Sequence, residues 1–407
     1  MIGAAVATGL VLRLALSAAI EVLARRRGTP CLFPDADIYW QLAGSILQGG
    51  PYRVMQWGIP HDALRTPGFP LFLAACRAIF GDSTLAPRLV QSALGALSIV
   101  MAARLTRLVR PLPTAAALAA WIVACDPFVV GFTGLLLSEA AFLPLMLGLL
   151  IGLARIWMGQ SRRGGLWALL SGLSAGLAVL VKPSFALFLP IALGAWLLSV
   201  RRRSSIRLAS LVVLGFLIAM APWWARNARV LHRFVPTAIW GGASLYDGLN
   251  PHATGASDMS FLEEPDLVGL DEVAQDRELK ARAWRFAREN PGRSLELAAI
   301  KAARFWSPRI NAEGYRSPAL GVATSVWTWP LYGLMAAGLF QHRRDPRAWV
   351  LLAGPLLYFA AIHLLFVGSV RYRVPAMVPA IGLAALAAGP WTCKMAPPEP
   401  EAIVPGE

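Results

Sequence analysis

The sequence predicts an all-α polytopic integral membrane protein, with about ten transmembrane helices and a long first outer loop that carries short interfacial helices. Three observations lead there. Of 407 residues, 57% are hydrophobic and only 15% charged, with a mean hydropathy of +0.55; a soluble domain is nearer a quarter charged. Apolar stretches long enough to cross a hydrocarbon core of roughly 30 Å recur along the chain. Arginines gather in the short turns between those stretches, where they set topology and meet anionic head groups.

Taken in order, the apolar runs are 2–23, 86–108, 114–132, 134–156, 165–181, 184–200, 206–223, 318–340, 348–367 and 374–391. Each has the roughly 17–25 residues a spanning helix needs at about 1.5 Å per residue. The first run, MIGAAVATGLVLRLALSAAIEVL, is too long for a signal-peptide core and lacks a clear cleavage site, so it reads as a retained anchor. Inside the third run, Asp126-Pro127 marks a local helix break.

Orientation follows from the turns. Arg104, Arg107 and Arg110 follow the second run, Arg155, Arg162 and Arg163 the fourth, Arg201, Arg202, Arg203 and Arg207 the sixth, and Arg343, Arg344 and Arg347 the eighth. If the spans alternate, all four clusters fall on one side, which is then cytoplasmic, and both termini lie there too. Arg25, Arg26 and Arg27 disagree, because they follow the first run and would lie outside. The division is one transmembrane domain over 1–392 and a Pro-rich cytoplasmic tail over 393–407. Two long loops, 24–85 and 224–317, face outward; within the second, the polar stretch 258–292 predicts surface helices. LELAAIKAARFW (295–306) predicts an interfacial helix with Lys301 and Arg304 on its polar side.

The formal net charge of +15 does not indicate nucleic acid, because the arginines sit between apolar segments rather than on one basic face. Four cysteines (Cys31, Cys76, Cys125, Cys393) show no CxxC and no metal-ligand spacing.

The chemistry-bearing residues collect at the outward ends of the runs. PDADIYWQLAGSIL (34–47) places Asp35 and Asp37 at the start of a short helix, with Tyr39 one turn past Asp35 on the same side. One acid there can be a helix cap; a second is explained less well. Arg65 precedes the Pro67-Gly68 turn, and the apolar run after it is too short to span, so it reads as interfacial or re-entrant. Glu139 stands near the outward end of the fourth run, where an ionisable group is a candidate for function. The cations are Lys182 (one of only four lysines), Arg226, and Arg371 with Arg373 in GSVRYRVP. Outward cations run against the topology bias, and binding a lipid phosphate is one reason to have them. Carboxylates that deprotonate an acceptor, beside cations that stabilise a departing phosphate, are the set a glycosyl transfer needs. No nucleotide-binding glycine loop is present, which disfavours a soluble nucleotide sugar.

The order PDADIY, RTPGFPLFLA, FGDSTLAPRLVQSALGALS, GLLLSEA, GLSAGLAVLVKPS, PWWARN, RYRVP resembles the GT-C membrane glycosyltransferases. It is most similar to the bacterial branch related to protein O-mannosyltransferases and the lipid A aminoarabinose transferase. The likeness runs from residue 1 to about 390 and is strongest over 30–185. It implies a sugar donor linked to polyprenyl phosphate, and a glycan, lipid or protein acceptor on the periplasmic side of a bacterial inner membrane. It gives Asp35 the role of catalytic acid, with Asp37 as its rival, and matches Tyr39, Arg65 and Glu139 to family positions. Together with the outward cations read above, the expectation is an inverting transfer with Asp35 as general base, Asp37 or Glu139 orienting the acceptor, and Tyr39, Arg65, Lys182, Arg226, Arg371 and Arg373 as substrate-binding residues. Some relatives hold a divalent metal between their acids, but no added His or Cys ligand supports one here. The competing reading is a transporter or lipid flippase, which would keep its charges near the bilayer midplane and show a repeated half. A non-catalytic scaffold would not bring Asp35, Glu139 and the outward arginines together.

Overall fold

The computed structural model describes residues 1–159, 163–200, 203–311 and 317–395. Helix α1 (Ile2–Arg27) stops at Gly28, whose φ of 64° is the left-handed conformation glycine adopts cheaply. The first loop then forms α2 (Pro34–Leu47), a two-stranded antiparallel hairpin of β1 (Val54–Gln56) and β2 (Ile59–His61), and α3 (Gly68–Phe80). At 13 residues α3 is too short to span, as the sequence indicated. The bundle continues with α4 (Leu85–Val109), α5 (Pro113–Cys125), α6 (Pro127–Thr133), α7 (Glu139–Met158), α8 (Gly164–Val181), α9 (Phe188–Val200) and α10 (Arg203–Leu231). The second loop holds α11 (Gly241–Gly248), α12 (Glu272–Glu289) and α13 (Pro291–Phe305). The chain closes with α14 (Pro318–Gln341), α15 (Gly354–Ile362) and α16 (Val370–Met395).

Among the described residues, seven helices are long and apolar enough to cross a membrane, or eight if the bent pair α5–α6 counts as one span. The protein is thus a multi-pass helical membrane protein, with fewer clear spans than the ten apolar runs. The differences are physical. The 55° bend between α5 and α6 falls at Asp126-Pro127. Proline removes a helical donor, and the Asp126 carboxylate caps the restart by accepting from the Phe128 and Val129 amides. α14 dilutes its apolar residues with Thr, Ser and Trp, and the run 348–362 is too short. Most of the 393–407 tail, and Arg162, Arg201 and Arg202 of the turns, lie outside the described residues.

Small residues let the helices approach closely. A Cβ on Gly172 of α8 would stand 1.9 Å from the Val212 carbonyl of α10, and one on Gly215 would meet Leu169 of α8 at 2.2 Å. Polar staples act elsewhere: Arg88 of α4, fully buried, donates to Glu21 of α1 at 2.8 Å. Helix α13 corrects one expectation. Lys301 is buried rather than on a wet face, and its ammonium donates to the carbonyls of Gly248 (3.1 Å) and Leu365 (2.8 Å). It locks α11 to the loop before α16, and burial lowers its pKa to about 8.

Candidate active site

Five segments meet at one end of the bundle. Helix α2 supplies Asp35 and Tyr39, the turn after β2 supplies Arg65, the first residue of α7 is Glu139, Lys182 follows α8 directly, and Arg371 opens α16. The close approach of α3 to α8 fixes two of them. A Cβ on Gly68 would lie 2.6 Å from the backbone of Leu180, so only glycine lets the chain just past Arg65 touch the chain just before Lys182.

The charged groups form one continuous network. Arg65 Nη2 donates to Asp35 Oδ1 at 2.7 Å. Arg371 bridges the two acids, with Nη1 to Asp35 Oδ2 at 2.7 Å and Nε to Glu139 Oε1 at 2.7 Å. Lys182 Nζ donates to the same Glu139 oxygen at 3.0 Å. Three cations thus face two carboxylates. The two acids sit differently: the Asp35 side chain is 35% exposed and that of Glu139 only 2%. Burial alone would raise the Asp35 pKa, but Arg65 and then Arg371 outweigh it and hold the carboxyl well below the usual carboxylate range. Among the described residues, Glu139 Oε2 is buried with no hydrogen-bond partner.

Aromatic rings wall this network. Tyr39 packs edge-on against Phe69 at 5.0 Å, and the Arg65 guanidinium lies 5.9 Å from its ring centre and 5.2 Å from that of Trp240. Tyr372 stacks on His363 at 4.0 Å and carries the Lys182 ammonium 5.3 Å from its ring centre. Trp240 and His363 carried no motif in the sequence, and Tyr372 lay inside RYRVP, where only its flanking arginines were singled out.

The structure sorts the remaining candidates. Asp35 is not a helix cap: Phe33 holds the N-cap position of α2, without a side-chain cap bond, and Asp35 gives both oxygens to arginines. Asp37, two residues on and so on another face, is exposed and bonds the Cys31 thiol; burial first, then that bond, pushes the thiol up to about 12. Arg373 and Arg226 do not join the network. Arg373, two residues from Arg371, is fully buried on the opposite side of α16 and donates to the carbonyls of Phe305 (3.1 Å) and Ser307 (2.6 Å). Arg226 donates to the carbonyls of Asp62 (2.6 Å) and Tyr52 (2.8 Å), and so ties α10 to the first loop. Arg226 also reaches the Asp62 carboxylate at 3.4 Å, and Arg373, at 0% exposure, is sealed from an incoming phosphate although its Nε and Nη2 have no partner among the described residues.

A divalent metal does not suit these residues. The guanidinium of Arg371 occupies the position between the two carboxylates where a shared cation would sit. Among the described residues, no group of three or more His, Cys, Asp or Glu could hold a metal ion.

Comparison with solved structures fits this architecture. The archaeal oligosaccharyltransferase from Archaeoglobus fulgidus, in complex with an inhibitory peptide and a dolichol-phosphate, superposes with a TM-score of 0.56 at 13% identity, covering 96% of this chain and 50% of that one. The apo form of the A. fulgidus enzyme gives 0.57 at 14% identity, over 96% and 51%. ArnT from Cupriavidus metallidurans bound to undecaprenyl phosphate gives 0.42 at 15% identity, over 88% and 73%. The chain spans about half the length of the oligosaccharyltransferases it matches. The two oligosaccharyltransferase superpositions show that the chain shares the fold of that membrane protein. Residues 64–225 match the family model described as dolichyl-phosphate-mannose-protein mannosyltransferase, a stretch that holds Arg65, Glu139 and Lys182. No curated protein matches the sequence.

Proposed function

We propose that the protein transfers a sugar from a polyprenyl-phosphate-linked donor to a hydroxyl or amine acceptor, at the periplasmic face of a bacterial inner membrane. The observation that carries this reading is the convergence of Asp35, Arg65, Glu139, Lys182 and Arg371, from five separate segments, into one bonded network at a helix-bundle end. A transporter site at the bilayer midplane would not gather its charges at the ends of helices.

The network suggests how transfer proceeds. In the resting protein Asp35 is a poor base, because Arg65 and Arg371 stabilise its charge. A donor phosphate competes for the same two guanidiniums, which favour phosphate as a bidentate partner. As they turn to the phosphate, Asp35 loses its partners and gains basicity only when the donor is in place. The acceptor oxygen or nitrogen then attacks the anomeric carbon from the face opposite the phosphate. The carbon–oxygen bond to phosphate breaks, the acceptor proton passes to Asp35, and polyprenyl phosphate leaves with an extra negative charge held by Arg65, Arg371 and Lys182. A single displacement inverts the anomeric centre. Glu139 touches no reacting atom in this scheme; it positions Lys182 and Arg371.

The test is transfer from a radiolabelled mixture of polyprenyl-phosphate sugars in membranes, with Asp35→Asn and Asp37→Asn. The amide keeps the shape of the side chain and cannot take a proton. Asp35→Asn is expected to lower transfer by about 10²–10⁴-fold, the usual worth of general base catalysis. Asp37→Asn is expected to stay within about twofold of the parent, since it stands outside the network. Normal transfer by Asp35→Asn would move the base elsewhere, and no transfer by the parent from any such donor would bring the transporter reading forward.

A further inference from the structure

A second feature lies at the same end of the bundle and is unused by the transfer chemistry. It is a cavity of about 350 Å³ between α11 and the segment 250–264, at the small end of the roughly 300–1,000 Å³ range of ligand sites. Tyr246 and Phe261, edge-to-face at 5.0 Å, form its apolar wall. Asp247, Asp258 and Glu264 supply acids to its polar wall, beside Asn250 and His252. Glu264 is held by Arg282 at 2.9 Å, a guanidinium shared with Asp266 and Glu278, so the surroundings of the cavity stay net acidic. Asp247 is a built-in part of that wall: it is 1% exposed and accepts from Ser257 Oγ at 2.7 Å and the Asp258 amide at 2.8 Å. Asp258 itself is exposed.

Both ends of α11 are tied to the catalytic network. Trp240, directly before the helix, carries Arg65 over its ring. Gly248, its last residue, is held by Lys301 to Leu365 in the loop that leads to Arg371. The end of the bundle therefore presents two sites of opposite character side by side. One is cationic and suits a phosphate. The other offers carboxylates and aromatic rings, and would repel a phosphate.

Resting on the transfer reading, we infer that this cavity is the acceptor subsite and that it takes a carbohydrate rich in hydroxyl and amino groups and free of anionic groups. Sugar hydroxyls and ammonium groups donate to the carboxylates, while the apolar face of a sugar ring packs on Tyr246. Charge segregation then sorts the two substrates: the phosphate-bearing donor is excluded from the acidic cavity, while the acceptor is held there with its attacking group reaching Asp35.

The test is direct binding to the full chain in lipid nanodiscs by titration calorimetry. The probes are a glucosamine tetrasaccharide, its fully N-acetylated counterpart and a tetragalacturonate. The glucosamine probe is expected to bind, the acetylated one several-fold more weakly, and the anionic one not at all. The pair Asp258→Asn with Glu264→Gln should weaken glucosamine binding at least tenfold, and Thr254→Trp, at an exposed lining position, should abolish it by filling the cavity. Thermal melting of each variant establishes that it is folded. Binding of the galacturonate as tight as that of glucosamine, no saccharide binding, or unchanged binding in both folded variants would overturn the assignment. Because binding is read without turnover, this result stands apart from the Asp35→Asn experiment, and either can fail alone.

Discussion

Glu139→Gln is the sharpest test of what holds the network together. Lys182 Nζ and Arg371 Nε lie 3.0 and 2.7 Å from the same Glu139 oxygen, so the two cations stand no more than about 6 Å apart. At an effective dielectric of about 20, two unit charges at that distance repel by about 3 kcal/mol. In the parent the carboxylate offsets this repulsion, and in the variant an amide carbonyl accepts one bond and carries no charge. Breaking a buried pair by removing one partner costs about 3–5 kcal/mol, in line with that repulsion. Arg371 retains Asp35 as a partner, while Lys182, with 7% side-chain exposure, has no other carboxylate bonded to it among the described residues. The assay is thermal unfolding of detergent-solubilised protein, beside Asp35→Asn. The Glu139 variant should melt several degrees lower, and Asp35→Asn close to the parent, because that carboxylate is a third exposed and a partly exposed pair is worth about 0–1 kcal/mol. Equal melting temperatures for the two variants would refute the claim that Glu139 carries the buried charge balance. A second reading separates structure from chemistry: Glu139→Asp should recover part of the stability by keeping the charge.

Three further outcomes follow from the same geometry. Because Arg65 and Arg371 hold Asp35 below its ordinary value of about 3.9, it stays ionised in the free enzyme as pH falls, and the stability from that pairing is present above the unfolded value and lost only below it. In rate measurements, the acid limb of kcat/KM should therefore lie lower than that of kcat, where the donor has drawn the arginines away; coincident limbs would contradict the exchange. Gly68→Ala should force α3 off the Leu180 backbone and displace Arg65, lowering transfer by up to about 100-fold with normal membrane insertion. Arg373→Ala should lower the melting temperature while leaving the KM for donor within about twofold, since its guanidinium holds backbone carbonyls of the chain before α14.

The fold was legible where the physics is one-dimensional. Length and apolarity place the spanning helices, and the single break the sequence marked, Asp126-Pro127, is where the bundle bends. The run 134–156 was misjudged at its start, because residues 134–138 are as apolar as a span, yet the helix begins only at Glu139. That shift matters, since it moves Glu139 from inside a span to its first residue, facing Lys182 and Arg371. The burial of Lys301 was equally hidden: amphipathic spacing indicated a wet face, but the carbonyls that receive its ammonium, Gly248 and Leu365, are more than 50 residues away in the chain. The expectation that Asp35, Arg65, Glu139, Lys182 and Arg371 converge rested on all five lying at outward helix ends. Which residues pair with which is set by tertiary packing, and no local pattern encodes it.

The arginines make the remaining point. Cations on this side of the bundle run against the topology bias, and from the sequence Arg226, Arg371 and Arg373 were equivalent reasons to expect a phosphate. Their partners distinguish them. Arg226 and Arg373 are anchored on backbone carbonyls, which are neutral, fixed in place and cannot be released without unfolding the loops that carry them. The longer 3.4 Å pair of Arg226 with Asp62 goes to a carboxylate only 12% exposed and already held by Arg53. Arg65 and Arg371 share a carboxylate that is a third exposed and can exchange its partners for an incoming anion. A guanidinium bound to a carbonyl is a staple, and one bound to a partly exposed carboxylate holds its place until a better anion arrives. An arginine at a membrane interface is thus available to a substrate only when what it holds can be displaced, and in this chain two of the four meet that condition.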